Sequence, residues 1–241
     1  PSASSGFVTF SDSTSTSTTA TVTGLTNGAS YYFKVAATNS IGTGSYSTAS
    51  SAVTPNTCAI GGACVASNIG PGGGVVFYVG ASATNVVSGI STGGTVLEFG
   101  TTTTKIWCTV ITDHVVPGAD GVAIGTGAQN TADIEADCTM AGTAADYAAN
   151  LTEGGKSDWF LPSRDELNEL CKYARQQTTG NTSTQCSSAN SLRTGFTSGN
   201  YWSSTDVNSP NIGWTQDFNT STQVLTNKWD AGGVRPVRAF G

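Results

Sequence analysis

The sequence predicts a two-module extracellular protein, in which an all-β segment over residues 1–55 precedes an α+β domain over residues 56–241. Three observations lead to this fold class. All six cysteines follow residue 57, short β-branched and aromatic runs recur along the chain, and helical patterns occur only in the second module. A Gly-, Ser- and Thr-rich chain with only 11% charged residues is typical of an extracellular, β-rich protein.

Composition also excludes several classes of function. The net charge of −6 disfavours nucleic acid or an anionic membrane as a partner. No apolar run approaches the roughly 18–20 residues of a membrane span, so we expect no membrane insertion. Histidine occurs once, at His114, and its neighbour Asp113 is adjacent in sequence only, so we predict that the chain is not an enzyme. The start at Pro1, with no signal-peptide pattern, indicates a piece of a longer polypeptide.

In the first module, strands are predicted over 7–10, 20–23, 31–39 and 49–54, and the third alternates as a half-buried strand does. The run from Gly24 to Tyr31, continued by Gly42-Thr43-Gly44, resembles the second half of a fibronectin type III domain. The resemblance implies that the Tyr31 hydroxyl bonds back to the preceding loop. A whole sandwich of this type needs about 100 residues, so either its first strands were not seen or another segment completes the sheet. We expect a spacer without a site.

The second module opens with glycines at 70 and 72–74, followed by a strand over 75–79. These glycines could suggest a phosphate cradle, but a strand follows them instead of a helix N-terminus, so a tight turn is the better interpretation. Further strands are predicted over 95–99 and over 105–111, the latter carrying Trp107 and Cys108.

Two helical stretches follow. The first is predicted over 132–150 with a break near Gly142, and Asn130 or Thr131 is its expected cap. The second begins at a Ser163-x-x-Glu166 capping box. Asp165 and Glu166 resemble paired catalytic carboxylates, but the helix dipole and the cap explain them better. The apolar residues of the second helix fall on one face: Leu167, Leu170, Cys171 and Ala174.

The even number of cysteines predicts a disulfide framework in an oxidising compartment. No CxxC pair is present and histidine ligands are lacking, which disfavours zinc. We expect nearest neighbours to pair, out of 15 possible connectivities, although one or two pairs could instead be buried thiols. The predicted pairs are Cys58 with Cys64, Cys108 with Cys138, and Cys171 with Cys186.

The C-terminal region is predicted to form short strands joined by polar turns. Trp202 and Trp214 are expected in the core, and Arg235 or Arg238 is expected to be tied to a carboxylate or carbonyl. Exposed aromatics beside amides and carboxylates form a good recognition surface. The predicted ligand-binding residues are Asp206, Asn208, Asn211, Asp217, Asn219, Asn227, Trp229 and Asp230. The alternative for the polar residues is plain turn chemistry.

Five ordered motifs together resemble a known family: 70–79 (GPGGGVVFYV), 123–131 (AIGTGAQNT), 157–168 (SDWFLPSRDELN), 201–205 (YWSST) and 234–240 (VRPVRAF). They are similar to the C-terminal domain of collagen-like bacterial adhesins, long described only as a domain of unknown function. The resemblance covers residues 58–241. It implies a C-type-lectin-like fold akin to the formylglycine-generating-enzyme type, and display on a surface or virion fibre, often as a trimer. Some relatives are hypervariable targets of diversity-generating retroelements.

Three family properties are not carried over. Relatives that bind sulfated polysaccharide use positive charge, whereas this chain is acidic. The Glu-Pro-Asn and Trp-Asn-Asp pair of calcium-dependent lectins is absent, so no cofactor or metal is predicted, although a calcium site built from Asp206, Asp217 or Asp230 is an open alternative. The formylglycine-generating activity needs cysteines near the C-terminus, and none follows Cys186.

The sequence therefore predicts a non-enzymatic adhesion or receptor-binding module on an extracellular or virion fibre. Its C-terminal loops would bind a cell-surface glycan or protein, and the resemblance implies a homo-oligomer, with a trimer as the expected form. The alternative is a structural stalk or filament module of a surface fibre without a ligand of its own.

Overall fold

A computed structural model describes residues 8–10, 19–20, 22, 24–26, 29–55, 58, 64–80, 96–108 and 115–240. The chain divides into two compact units, Pro1–Asn56 and Thr57–Gly241, which are described separately below.

The described part of the first unit is an irregular hairpin. Tyr31 and Val53 exchange backbone hydrogen bonds of 2.8 Å. The Tyr31 hydroxyl accepts a bond of 2.8 Å from the Thr26 N–H, a contact that the resemblance implied. The predicted strands over 31–39 and 49–54 are nevertheless wrong as continuous strands. The N–H of Phe33 donates to the Ser50 hydroxyl at 3.0 Å, and a serine hydroxyl that replaces a backbone carbonyl interrupts the ladder.

The fibronectin type III resemblance of this unit stays a prediction. The predicted strand over 7–10 and the one over 20–23 lie partly outside the described residues, and their described positions are not in strands.

The second unit is α+β, as predicted. Its elements within the described residues are β1 (Val75–Val79), β2 (Val96–Phe99), β3 (Thr103–Lys105), α1 (Gly127–Asp137), α2 (Ala144–Ala149), α3 (Arg164–Ala174), β4 (Asn200–Asp206), β5 (Ile212–Asp217), β6 (Gln223–Asn227), β7 (Gly232–Val234) and β8 (Val237–Phe240). They form a three-stranded sheet of order β1-β2-β8 and a five-stranded sheet of order β3-β7-β4-β5-β6. Two sheets with a few helices are compatible with a C-type-lectin-like domain.

The glycine-rich segment before β1 is a tight turn, as predicted, and it surrounds a carboxylate of the same chain. Gly72 N–H donates to Glu98 Oε1 at 2.8 Å, and Arg238 Nη1 pairs with the same oxygen at 3.0 Å. A Cβ on Gly70 would lie 2.2 Å from Glu98 Oε2, so a larger residue would displace this buried side chain. Arg238 also pairs with Asp158, and Arg235 donates to the Gly100 carbonyl at 3.1 Å, which confirms the expectation for the two arginines.

The third predicted strand, over 105–111, is wrong. The strand is β3, which ends at Lys105, and residues 109–111 lie outside the described residues. Trp107 and Cys108 leave the sheet because their N–H groups both donate to the Lys228 carbonyl, at 2.8 and 3.2 Å. Trp107 is fully buried in this position.

The first helix begins earlier than predicted, at Gly127 with Thr126 as its cap residue. Asn130 and Thr131 are buried within it, and the Thr131 hydroxyl donates to the Gly127 carbonyl at 2.7 Å, so neither is the cap. The predicted break at Gly142 is confirmed by its left-handed φ of +85°, and α2 starts beyond it.

Helix α3 begins at the predicted capping box, in which the side chains of Ser163 and Glu166 each bond the other residue's backbone N–H. The Glu166 carboxylate is fully buried and also accepts from Gly125 N–H at 2.8 Å. Burial raises the pKa of Glu166 from 4.5 to about 6, against the opposing effect of its backbone hydrogen bonds. Asp165 and Glu166 therefore belong to a helix start that is anchored to the loop before α1.

The core has two main parts. One joins α3 to β1, β2 and the aromatic residues Phe196, Tyr201 and Phe218. The other packs α1 and α2 around Trp107 and Trp202. The three disulfides join the predicted partners, and no free cysteine is present: Cys58–Cys64, Cys108–Cys138 and Cys171–Cys186. Within the described residues, no helix is long and apolar enough to cross a membrane.

Candidate functional site

The predicted ligand-binding residues lie at two opposite ends of the β5–β6 hairpin. Ile212 pairs with Asn227 at one end of the ladder, and Gln216 pairs with Gln223 at the other. The loops 207–211 and 228–231 meet at the first end, whereas the turn 218–222 closes the second. A strand rises about 3.4 Å per residue, so the four residue steps from Ile212 to Gln216 separate the two groups by roughly 14 Å. They cannot form one small binding site.

At the first end, five of the predicted residues form what we name the Trp229 surface. All of them are exposed: Asn208, Asn211, Asn227, Trp229 and Asp230. Trp229 as a whole residue is 54% exposed. A backbone bond of 2.9 Å from Lys228 N–H to the Asn211 carbonyl joins the two loops. A turn then brings Asn227 and Asp230 together, since Asp230 N–H donates to the Asn227 carbonyl at 2.9 Å and Asn227 Nδ2 donates to Asp230 Oδ2 at 3.2 Å.

Asp206, which was predicted among the exposed ligand-binding residues, is instead only 4% exposed. Its carboxylate pairs with Lys228 Nζ at 2.8 Å through Oδ1 and 2.9 Å through Oδ2. The N–H groups of Val116 and Val207 donate to the same carboxylate at 2.8 and 2.7 Å. Burial raises the pKa of Asp206, and the Lys228 ammonium and these N–H groups oppose that rise.

The Asp206–Lys228 pair lies under the Trp229 surface and ties its supports together. Lys228 Nζ lies 4.5 Å from the centre of the Trp107 ring, while its carbonyl accepts from the Trp107 and Cys108 N–H groups. Asp206 N–H donates to the Ala119 carbonyl at 2.7 Å. Through their ion pair and their backbone hydrogen bonds, Asp206 and Lys228 therefore join the ends of β4 and β6 to the segments at 107 and 116–119. Trp229 follows Lys228 directly in the chain.

At the opposite end of the hairpin, Asp217 and Asn219 take part in a turn, which is the alternative that the sequence left open for the polar residues of this region. The Asp217 carboxylate accepts from Asn219 N–H at 2.7 Å and from the Thr220 hydroxyl at 2.8 Å, which is the bonding of an Asx turn. The Asn219 carbonyl accepts from Arg175. Asp217 is therefore occupied in shaping the turn, whereas the Asn219 side chain is exposed.

Trp214 lies only partly in the core, contrary to the prediction. It pairs with Leu225 across β5 and β6, and the Arg164 guanidinium lies 5.1 Å from its ring centre. The cause is strand parity. Trp202 pairs with Thr215, which places Trp202 on one face of the sheet and Trp214 on the other. Trp202 is fully buried, as predicted.

The described residues contain no group of three or more His, Cys, Asp or Glu side chains that could hold a metal ion. Of the three aspartates considered for calcium, Asp206 is paired with Lys228, and Asp217 and Asp230 lie at opposite ends of the hairpin. His114, with Asp113, lies outside the described residues. The arrangement places an exposed aromatic and exposed amide and carboxylate groups above a buried ion pair.

Comparison with known proteins identifies the family. A search of curated proteins gives no match. A sequence model described as the Lcl C-terminal domain matches residues 102–238, which is more than half of the chain. The chain belongs to the Lcl C-terminal domain family. Family membership indicates an adhesin-like or fibre module. The matched segment includes the whole Trp229 surface and the Asp206–Lys228 pair, but not the glycine turn before β1 or the first unit.

Proposed function

We propose that this Lcl C-terminal domain is a non-enzymatic receptor-binding module, and that the Trp229 surface binds a receptor on the target cell. The module is displayed on an extracellular or virion fibre as a homo-oligomer, with a trimer as the expected form. It uses no cofactor or metal and does not bind nucleic acid. The first unit serves as a fibronectin type III spacer.

The observation that carries the proposal is that Trp229 is 54% exposed on a turn, directly after the buried Asp206–Lys228 pair. An exposed tryptophan leaves a large apolar area in water, and this area becomes favourable when a partner covers it. Aromatic residues of this kind dominate binding energies at interfaces.

The buried pair beneath the surface supports the same proposal. Because Asp206 and Lys228 are almost fully buried and bonded to several segments, the loops that carry Trp229 are held before any ligand arrives. A preorganised surface loses less conformational entropy on binding, so more of the contact energy appears as affinity.

The experiment compares Trp229→Ala with a matched control at the other end of the hairpin, Asn219→Ala. Both residues are exposed turn residues, and only the first belongs to the proposed surface. Attachment of the purified full chain to target cells is measured after urea unfolding has shown equal stability. We expect Trp229→Ala to lose attachment and Asn219→Ala to retain it.

If Trp229→Ala attaches as well as the parent, the receptor-binding proposal is wrong for this surface. If the parent itself does not attach to any target cell, the structural stalk or filament module becomes the better account of the chain.

A further inference from the structure

The cation that precedes Trp229 in the chain is not available to a ligand. The nearest cation in sequence, Lys228, is 4% exposed, and its ammonium contacts both oxygens of Asp206. The titratable group of the surface itself is Asp230, an exposed carboxylate. A sulfated or sialylated ligand would therefore approach the Asp230 carboxylate while the neighbouring Lys228 ammonium is already paired with Asp206, and the net charge of −6 would repel it further.

The surface is also small. It consists of the two short loops 207–211 and 228–231 with one large aromatic ring. A specific protein–protein interface typically uses about 20–30 residues on each side, with several aromatic or arginine anchors. A surface of this size fits a ligand of one or two rings.

The chemistry of the three central residues fits such a ring. The electron-rich face of the Trp229 indole attracts a flat set of polarised C–H groups, such as one side of a pyranose ring. Beside it, the Asp230 carboxylate has about four acceptor positions, and Asn227 occupies one of them. Asn227 retains its carbonyl oxygen and a second N–H, so the pair can both accept from and donate to neighbouring hydroxyls.

From charge, size and bonding capacity together, we infer that the ligand of the Trp229 surface is an uncharged saccharide. This inference rests on the proposed receptor-binding function and names its ligand class. The sugar ring stacks on Trp229, and two adjacent hydroxyls bond to Asp230 and Asn227. No metal ion takes part in the contact.

The test titrates the full chain with methyl glycosides of glucose, galactose and mannose, and separately with heparin fragments, while NMR records binding. At least one neutral glycoside should bind, with an affinity that changes less than about twofold between 50 and 300 mM salt, because no ion pair forms. Trp229→Ala should weaken binding at least about tenfold, whereas Trp229→Phe should retain part of it, and Asn219→Ala should bind like the parent.

The outcomes separate this inference from the function on which it rests. If cell attachment depends on Trp229 but no neutral glycoside binds or competes, the receptor-binding function stands and the saccharide inference is wrong, in favour of a protein receptor. Binding to heparin fragments alone, with strong salt dependence, would also overturn it. If attachment does not depend on Trp229, the function and the inference both fail.

Discussion

The Lys228→Met variant tests whether the buried Asp206–Lys228 pair supports the Trp229 surface. Methionine keeps most of the length and apolar packing of the lysine stem but removes the ammonium, which leaves Asp206 as a buried carboxylate. Removing one partner of such a pair costs about 3–5 kcal/mol of unfolding free energy. We expect the lower end, about 3 kcal/mol, because the Val116 and Val207 N–H groups still bond to the carboxylate.

The assay is urea unfolding with the disulfides intact, followed by tryptophan fluorescence. With a slope of roughly 1–3 kcal/mol per molar urea, a loss of about 3 kcal/mol lowers the midpoint by about 1–3 M. The control is a double variant, Lys228→Met with Asp206→Asn, in which no unpaired buried charge remains. The double variant should lose less unfolding free energy than the two single variants lose in sum, and the difference should be roughly 2 kcal/mol.

A Lys228→Met variant within about 0.5 kcal/mol of the parent would refute this reasoning, as would a double variant whose cost equals that sum. Either result would mean that the ion pair does not hold the segments under the Trp229 surface.

Two further predictions concern the scaffold. The folded-state pKa of Glu166, about 6, lies above its unfolded value of 4.5, so its protonation adds stability that is fully present below about pH 4.5 and is lost as the pH rises through 6. This pKa shift corresponds to about 2 kcal/mol of unfolding free energy, which the parent should gain between pH 7 and pH 4.5. The Glu166→Gln variant should lack this gain when its unfolding free energy is measured over the same range. An identical pH dependence in parent and variant would contradict the raised pKa of Glu166. The second concerns the disulfide Cys108–Cys138, which spans 30 residues, so its double serine variant should lose about 3.6 kcal/mol in urea unfolding. An unchanged midpoint would show that this disulfide does not stabilise the second unit.

Features that depend on neighbours in sequence could be predicted from the sequence. The capping box of α3 needs only Ser163 and Glu166 at the right spacing, and the structure forms it. The strand Val75–Val79 follows from a β-branched and aromatic run after a glycine turn. The nearest-neighbour disulfides belong to the same group.

Features that depend on contacts between distant segments could not be predicted in this way. The sequence predicts Asp206 as an exposed turn residue. Its burial follows from the pairing of distant strands, because β4 and β6 place it beside Lys228. Helix α1 starts early because Gly127 packs against Glu166, where a Cβ would lie 2.2 Å from Oε2. The orientation of Trp214 depends on the β4–β5 register, which the order of polar and apolar residues did not reveal.

The same limit applies to the candidate site. Composition and turn residues predicted candidate recognition groups in the C-terminal region, but the separation of Asp217 and Asn219 from the Trp229 surface follows from the β5–β6 register. This separation makes Asn219 a suitable control for the proposed binding at the Trp229 surface.

The most direct test of receptor binding at the Trp229 surface is an NMR titration of the tryptophan indole N–H signals. The chain has five tryptophans, and the indole N–H groups of Trp107 and Trp202 are bonded to backbone carbonyls within the fold. On addition of oligosaccharides released from the target-cell surface, we expect the Trp229 signal to shift while the Trp107 and Trp202 signals stay in place. Binding that leaves the Trp229 signal unchanged would contradict the account.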